Sequence, residues 1–131
     1  MNKTIQDIIE RRSVKKYMAK SVPDELIEQI VKAGTYAPSG MNKQAAIILA
    51  VTNKEMRDRL SRINLDIVMA RNMNTTSGHA DPFYGAPVVL VVLAQQDVET
   101  RVYEGTLGME HMMIAAQSPG LRSRGILQAN E

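Results

Sequence analysis

Apolar residues recur along this chain with two different periods, and the changes from one to the other outline its elements. Thr4 is placed to cap a first helix, in which Ile5, Ile8 and Ile9 share one face. That helix should end near Arg11–Ser13. Ser21-Val22-Pro23-Asp24 reads as the start of a second, with proline near the first turn and acids following. Leu26, Ile27, Ile30 and Val31 form its buried face, Gly34 marks its end, and Pro38-Ser39-Gly40 forms a loop. The period then changes. Residues 45–52 are a continuous apolar run whose length and β-branching favour a strand buried on both faces. Asn53 caps a third helix in which Met56, Leu60 and Ile63 recur at helical spacing, with room to run on through Ile67 and Met69. Residues 72–84 are polar and punctuated by Gly and Pro, which predicts a loop. Residues 87–93 form a second buried strand. The longest helix follows, from about Asp97 to Gln117. Its Leu107, Met109, Met112, Met113, Ala115 and Ala116 leave little polar surface, so it must be central or covered by a partner subunit.

Helices that precede and separate two apolar strands predict an α+β or α/β chain, one layer of sheet between helices. Two strands alone do not make a stable sheet in water. The remaining strands must come from the C-terminal end, from a partner, or from both, which predicts a dimer on physical grounds.

At 131 residues the chain suits one domain with a real core. Hydrophobic residues at 44% and charged residues at 23% are ordinary for a globular protein. The net charge of +2 leaves any question of nucleic acid to local clustering. The absence of cysteine removes disulfides, thiolate metal sites and Cys nucleophiles together, and suits a reducing cytoplasm. The first residues lead directly into an amphipathic segment without a signal-like apolar stretch, and no apolar run is long enough to span a bilayer. With nine Met, one Phe and no Trp, the methionines are expected to do much of the packing.

Two stretches carry the candidate chemistry. Arg11-Arg12-Ser13-Val14-Lys15-Lys16-Tyr17 offers guanidinium forks, a hydroxyl and ammonium charges, an inventory suited to a phosphate. The plainer reading is a solvated helix end whose cations offset the dipole. The second stretch is Ala37-Pro38-Ser39-Gly40-Met41-Asn42-Lys43-Gln44, a loop expected to expose backbone N–H groups and amide side chains ahead of the first strand. His79 and His111 lie in different elements without ligand-spaced partners, so a metal site is not expected. His79 reads as a loop residue, His111 as a helix-surface or interface residue. No nucleophile elbow and no dinucleotide fingerprint after a strand is present. Gly105-Thr106-Leu107-Gly108 reads as a place where two helices approach closely.

These two stretches, with Val22-Pro23-Asp24-Glu25-Leu26-Ile27 between them and Asp81-Pro82-Phe83-Tyr84-Gly85-Ala86-Pro87 beyond, resemble the flavin-dependent nitroreductase family in order and spacing. The resemblance covers residues 1 to about 121. It implies an α+β nitroreductase-like fold, a central sheet flanked by helices in an intertwined homodimer, with residues 1–131 as a single domain. It implies an oxidoreductase in which bound FMN passes a hydride from NADH or NADPH to a nitroaromatic, quinone or related small-molecule acceptor. By the resemblance, Arg11, Ser13 and Lys15 hold the phosphate and ribityl chain, with Arg12 beside them. Pro38, Ser39, Gly40 and Asn42 reach the flavin of the opposite subunit, and Pro119-Gly120-Leu121 approaches its ring. No side chain need be catalytic, because the cofactor carries the redox chemistry.

The sequence also departs from the family pattern. Ala45-Ala46 stand where the family often has Pro-Trp. Ser118-Pro119-Gly120-Leu121-Arg122-Ser123-Arg124-Gly125 puts two arginines and a glycine at apolar strand positions, which argues against a buried strand over 122–127. The chain stops before the helix and strand with which the family usually ends. Two other readings stay open: by the resemblance, a non-catalytic flavin-binding relative that lost turnover with its tail, and, from the residues, a small nucleic-acid-binding module using Arg11–Lys16. The low net charge and the lack of aromatics for base stacking weigh against the second. The favoured reading is therefore a cytoplasmic, dimeric flavoenzyme that engages neither nucleic acid nor membrane.

Overall fold

The computed structural model describes residues 1–71 and 81–127. Helices α1 (Lys3–Glu10) and α2 (Asp24–Thr35) precede strand β1 (Ala46–Val51), with a single 3-10 turn at Gly40–Asn42 between them. Helix α3 (Lys54–Ala70) then crosses to strand β2 (Val89–Ala94), and α4 (Arg101–Gln117) follows. The strands pair antiparallel, Ala46 opposite Ala94 and Val51 opposite Val89. This is an α+β arrangement.

The register decides which residues reach the core. Ile48 lies opposite Val92 and Ala50 opposite Leu90 on one face of the pair. From that face Ile48, Leu90 and Val92 pack on Ile30 of α2 and on Met112 and Ala116 of α4, with Ala115 and Leu121 at the edge. The alternate positions Ile47, Leu49 and Leu93 point away and are about half exposed. Burial on both strand faces, expected from the apolar run, is therefore met on one face only.

Close approach of α2 and α4 holds this layer together. A Cβ added at Gly108 would sit 3.5 Å from the Gly34 carbonyl oxygen, ordinary contact, so the helices touch at their backbones. This is the close approach predicted from Gly105–Gly108. At Gly34 a Cβ would meet Met112 Cγ at 2.7 Å and Ile48 Cδ1 at 2.8 Å. Gly34 is thus a packing residue inside α2, not the residue that ends it; the helix continues to Thr35.

Other boundaries move for identifiable reasons. Asn2, not Thr4, caps α1, its Oδ1 accepting the Ile5 N–H at 3.0 Å. Asn53 caps α3 as predicted, accepting the Met56 N–H at 2.9 Å. Helix α4 begins at Arg101 rather than Asp97, because the 95–101 segment closes tight turns through Val98 N–H to Gln95 O and Arg101 N–H to Val98 O. In α3 the exposed Met56 and Ile63 do not form the buried side; Asn64 and Val68 do. Met112 is the one buried methionine among the described residues, while Met1, Met18, Met41, Met56 and Met69 are exposed, so packing does not absorb most of them. Residues 122–127 contain no strand, only an isolated parallel bridge between Ser13 and Ser123. Among the described residues no helix is long and apolar enough to cross a membrane.

Replacing Gly34 by Ala gains about 1 kcal/mol of helix propensity but forces Met112 and Ile48 aside, an overpacking cost of about 1–3 kcal/mol. Urea unfolding should show a net loss of about 1 kcal/mol for Gly34→Ala. Gly108→Ala, which meets only ordinary contact, should be neutral or slightly stabilising; equal losses in the two variants would contradict this packing.

Candidate functional site

Helix α4 has two ends, and the predicted site residues divide between them. At its C-terminal end the chain turns through Pro119-Gly120-Leu121, with Gly120 at φ +84 and Leu121 N–H donating to Ala116 O at 3.0 Å. Two residues on, Ser123 bridges Ser13. That bridge carries the Arg11–Lys15 segment to the same end of α4 as the 119–121 turn.

The basic segment begins where α1 stops. Arg11 caps the helix with its backbone, its N–H donating to Asp7 O at 3.1 Å, and its side chain is half-buried. Arg12 turns back: its Nη1 donates to Ile9 O at 2.6 Å and to Arg11 O at 2.7 Å. For Arg12 the plainer expectation, a cation at the negative end of a helix, is what the structure contains. Arg11, Lys15 and Lys16 face no carboxylate at ion-pair distance among the described residues, where the ion pairs are Lys3–Asp7 and Lys54–Asp58. Such cations suit an anionic group from outside the chain.

The Pro38–Gln44 loop sits at the other end. Its backbone is unusual: Met41 (φ 52), Asn42 (φ 55) and Gln44 (φ 50) all occupy the left-handed region, at roughly 1–3 kcal/mol each. The expected row of open N–H groups is not there. Asn42 N–H donates to Ser39 O, Lys43 N–H to Gly40 O, and Gln44 N–H to Ser39 Oγ. The Gln44 amide donates to Asn42 Oδ1 at 3.2 Å. Met41 stands out at 91% exposed.

The residue that anchors this loop escaped the sequence reading. Glu104, only 4% exposed, accepts Gly40 N–H at 2.9 Å on one oxygen and Ala45 N–H at 3.0 Å on the other. Thr100 Oγ1 donates to the same carboxylate at 2.6 Å. The Thr100 hydroxyl, then the two N–H groups and the nearby Lys43 charge, outweigh burial and hold the Glu104 carboxyl below the usual range. A signal did exist: Glu104, Gly108, Met112 and Ala116 recur every fourth residue on the buried stripe of α4. An acid on such a stripe must find donors.

A second, half-buried polar arrangement shapes the 81–86 turn. Asp81 accepts from Ser61 Oγ at 2.7 Å, Phe83 N–H at 2.9 Å and Gly85 N–H at 2.7 Å. Burial pushes the Asp81 carboxyl up, but Ser61, the two N–H groups and the Arg57 charge together bring it below its ordinary value. Arg57 also ties α3 to the turn, donating to Ala86 O at 2.7 Å. Arg124 lies 5.1 Å from the Tyr84 ring centroid. Burial raises the pKa of Tyr17, against the opposing charge of Arg124. His111 Nδ1 lies 3.1 Å from Leu107 O on α4, and His79 lies outside the described residues.

From Glu104 to Gln117 along α4 is roughly 20 Å at 1.5 Å per residue. One chain therefore brings residues 11–15 and 119–121 together, and leaves 38–42 at the far end.

The family model described as "Nitroreductase family" matches residues 8–128. A Bacillus subtilis protein named FMN reductase [NAD(P)H] is 26% identical over 129 residues, 92% of this chain and 47% of its own length. The chain spans about half the length of the curated relatives it matches. Among solved structures, a nitroreductase with bound FMN from Bacteroides fragilis superposes with a TM-score of 0.88 at 28% identity, covering 98% of this chain and 71% of that one. Another with bound FMN, from Desulfitobacterium hafniense, gives 0.80 at 30% identity, covering 92% and 67%.

Both Glu104 and Asp81 are more acidic folded than unfolded, so the unfolded chain binds more protons as the pH falls and stability rises with pH. Their contribution is complete above the ordinary carboxylate range near ~4 and disappears as pH drops through the lower folded values. Urea midpoints followed from about pH 6 to about pH 3 should decline, and decline less in Asp81→Asn; the same decline in both would remove Asp81 from the acid-sensitive groups.

Proposed function

The chain belongs to the nitroreductase family, and from that premise we propose that it is an FMN-dependent oxidoreductase. In this reading it transfers a hydride from NADH or NADPH to a nitroaromatic, quinone or related small-molecule acceptor, in the cytoplasm where those donors are plentiful. The observation that carries the reading is the set of cations at the exit of α1. Arg11 and Lys15 face no internal acid among the described residues, and the Ser13–Ser123 bridge sets them beside the 119–121 turn. A phosphate supplies the missing negative charge, and the relatives with FMN in their names or crystals show that the fold accommodates that cofactor.

When bound, FMN supplies the hydride chemistry. The chain binds and orients. Arg11 and Lys15 neutralise the phosphate, and the Ser13 hydroxyl adds a short donor. Arg12, engaged with the end of α1, holds the segment's exit angle more than the ligand. Pro119, Gly120 and Leu121 offer a tight backbone surface with Gly120 at positive φ, where a planar ring can approach without a side chain in the way.

The other half of the cradle comes from a second copy. A two-fold axis that lays α4 against its counterpart brings each Pro38–Asn42 loop to the partner's 119–121 turn. The exposed apolar surface supports such a homodimer. Helix α1 turns the buried Asp7 toward the body of the chain and leaves Ile5, Ile8 and Ile9 about half exposed. Val102, Tyr103 and Leu107 are likewise exposed on α4, and Ile47, Leu49 and Leu93 on the sheet. Large apolar side chains left exposed on three elements are surface that a second copy can cover.

Purified protein reconstituted with FMN should be yellow, and anaerobic NADH or NADPH should bleach the flavin band. Arg11→Ala and Ser13→Ala should each lose about 1.5–3 kcal/mol of charge-assisted bonding, about ten- to hundredfold in FMN affinity. Fluorescence titration showing unchanged affinity in both variants would overturn the phosphate assignment.

A further inference from the structure

We propose that Glu104 is a positioning residue for the uncharged part of the flavin, acting through the Pro38–Asn42 loop; this rests on the reading that the chain binds FMN. No ionisable group lies between Ala37 and Asn42. Residues 38–42 therefore offer neutral contacts such as the Asn42 amide, which suit the ring and the ribityl hydroxyls, while the Lys43 charge that follows lies near the Glu104 carboxylate. The phosphate is met at the far end of α4 by residues 11–15.

Three non-glycine residues in left-handed backbone persist only where the surroundings over-determine them. Glu104 supplies that constraint. Its two oxygens receive the N–H groups of Gly40, just before the left-handed residues Met41, Asn42 and Gln44, and of Ala45, just after them, so one carboxylate closes that stretch as a clasp. Thr100 fixes the carboxylate from the third side and fills the space over Gly40, where a Cβ would lie 2.5 Å from Thr100 Oγ1. Buried as it is, Glu104 has no surface for a ligand and acts only through the backbone it holds.

The experiment titrates the full chain with FMN and with riboflavin, by quenching of flavin fluorescence, in wild type, Glu104→Gln, Thr100→Val, Thr100→Ser and Arg11→Ala. Glu104→Gln keeps one acceptor but sets an amide donor against a backbone N–H. It should weaken FMN and riboflavin by the same factor, about tenfold, leaving their ratio unchanged. Arg11→Ala should weaken FMN alone. Saturated with FMN, Glu104→Gln should also give an altered visible circular dichroism of the bound flavin, which a merely less stable fold would not. Thr100→Val should move the affinities the same way by a smaller factor, and Thr100→Ser should restore them. Wild-type affinity for both flavins in folded Glu104→Gln overturns the inference alone, as does a loss confined to FMN. If Glu104→Gln does not fold, Thr100→Val decides, and unchanged affinities there overturn it. A wild-type chain that binds neither flavin overturns the family reading and this inference with it.

Discussion

Helix α4 lies against α2 at backbone distance because glycines face each other at the crossing, Gly108 beside the Gly34 carbonyl. Everything that positions the site depends on that approach. It sets Ile30 against Met112 and Ala116, and it seats the sheet through Ile48 and Val92. It also fixes direction: α2 runs antiparallel to α4, since Ile30 sits by Met112 and Ala116 while Gly34 sits by Gly108. The chain before α2 is thereby delivered to the C-terminal end of α4, and the chain after it to the N-terminal end. The Arg11–Lys15 segment and the loop are separated by the length of a helix because the fold leaves them no other course.

Electrostatics follow the same division. At the N-terminal end of α4 a buried carboxylate is fully satisfied by Thr100, Gly40 and Ala45, and the helix dipole favours its charge. At the C-terminal end cations accumulate on exposed or half-buried backbone, Arg11 and Lys15 from one segment and Arg122 and Arg124 from the other. The first end is closed on itself. The second is open to an anion.

Periodicity made the elements legible, because α2, β1, α3 and β2 are each long apolar-patterned segments with turn residues between them. It could not show that the apolar side of α1 would face outward, since Ile5, Ile8 and Ile9 look the same whether a chain or its partner covers them. Nor could it show one-sided burial in β1, where a continuous apolar run fits an inner face and an interface equally well. Of the site, the Arg11–Lys15 segment was readable as local charge. The role of Arg12 was not, because its bonds to Ile9 and Arg11 depend on where α1 stops. Glu104 was missed for a related reason: its partners Gly40 and Ala45 lie some sixty residues away, and no local pattern joins them. The fold supplied that pairing, through the α2–α4 crossing.

The central claim is that each cradle takes residues 11–15 and 119–121 from one chain and the 38–42 loop from the other. Mixing tests it most directly. Co-refolded Arg11→Ala and Asn42→Ala chains, each defective alone, form mixed dimers in which one of the two cradles is wild type throughout. FMN stoichiometry measured on the isolated mixed dimer should recover to half the wild-type value at concentrations where neither parent retains flavin. Mixed dimers as poor in FMN as their parents would contradict a shared cradle.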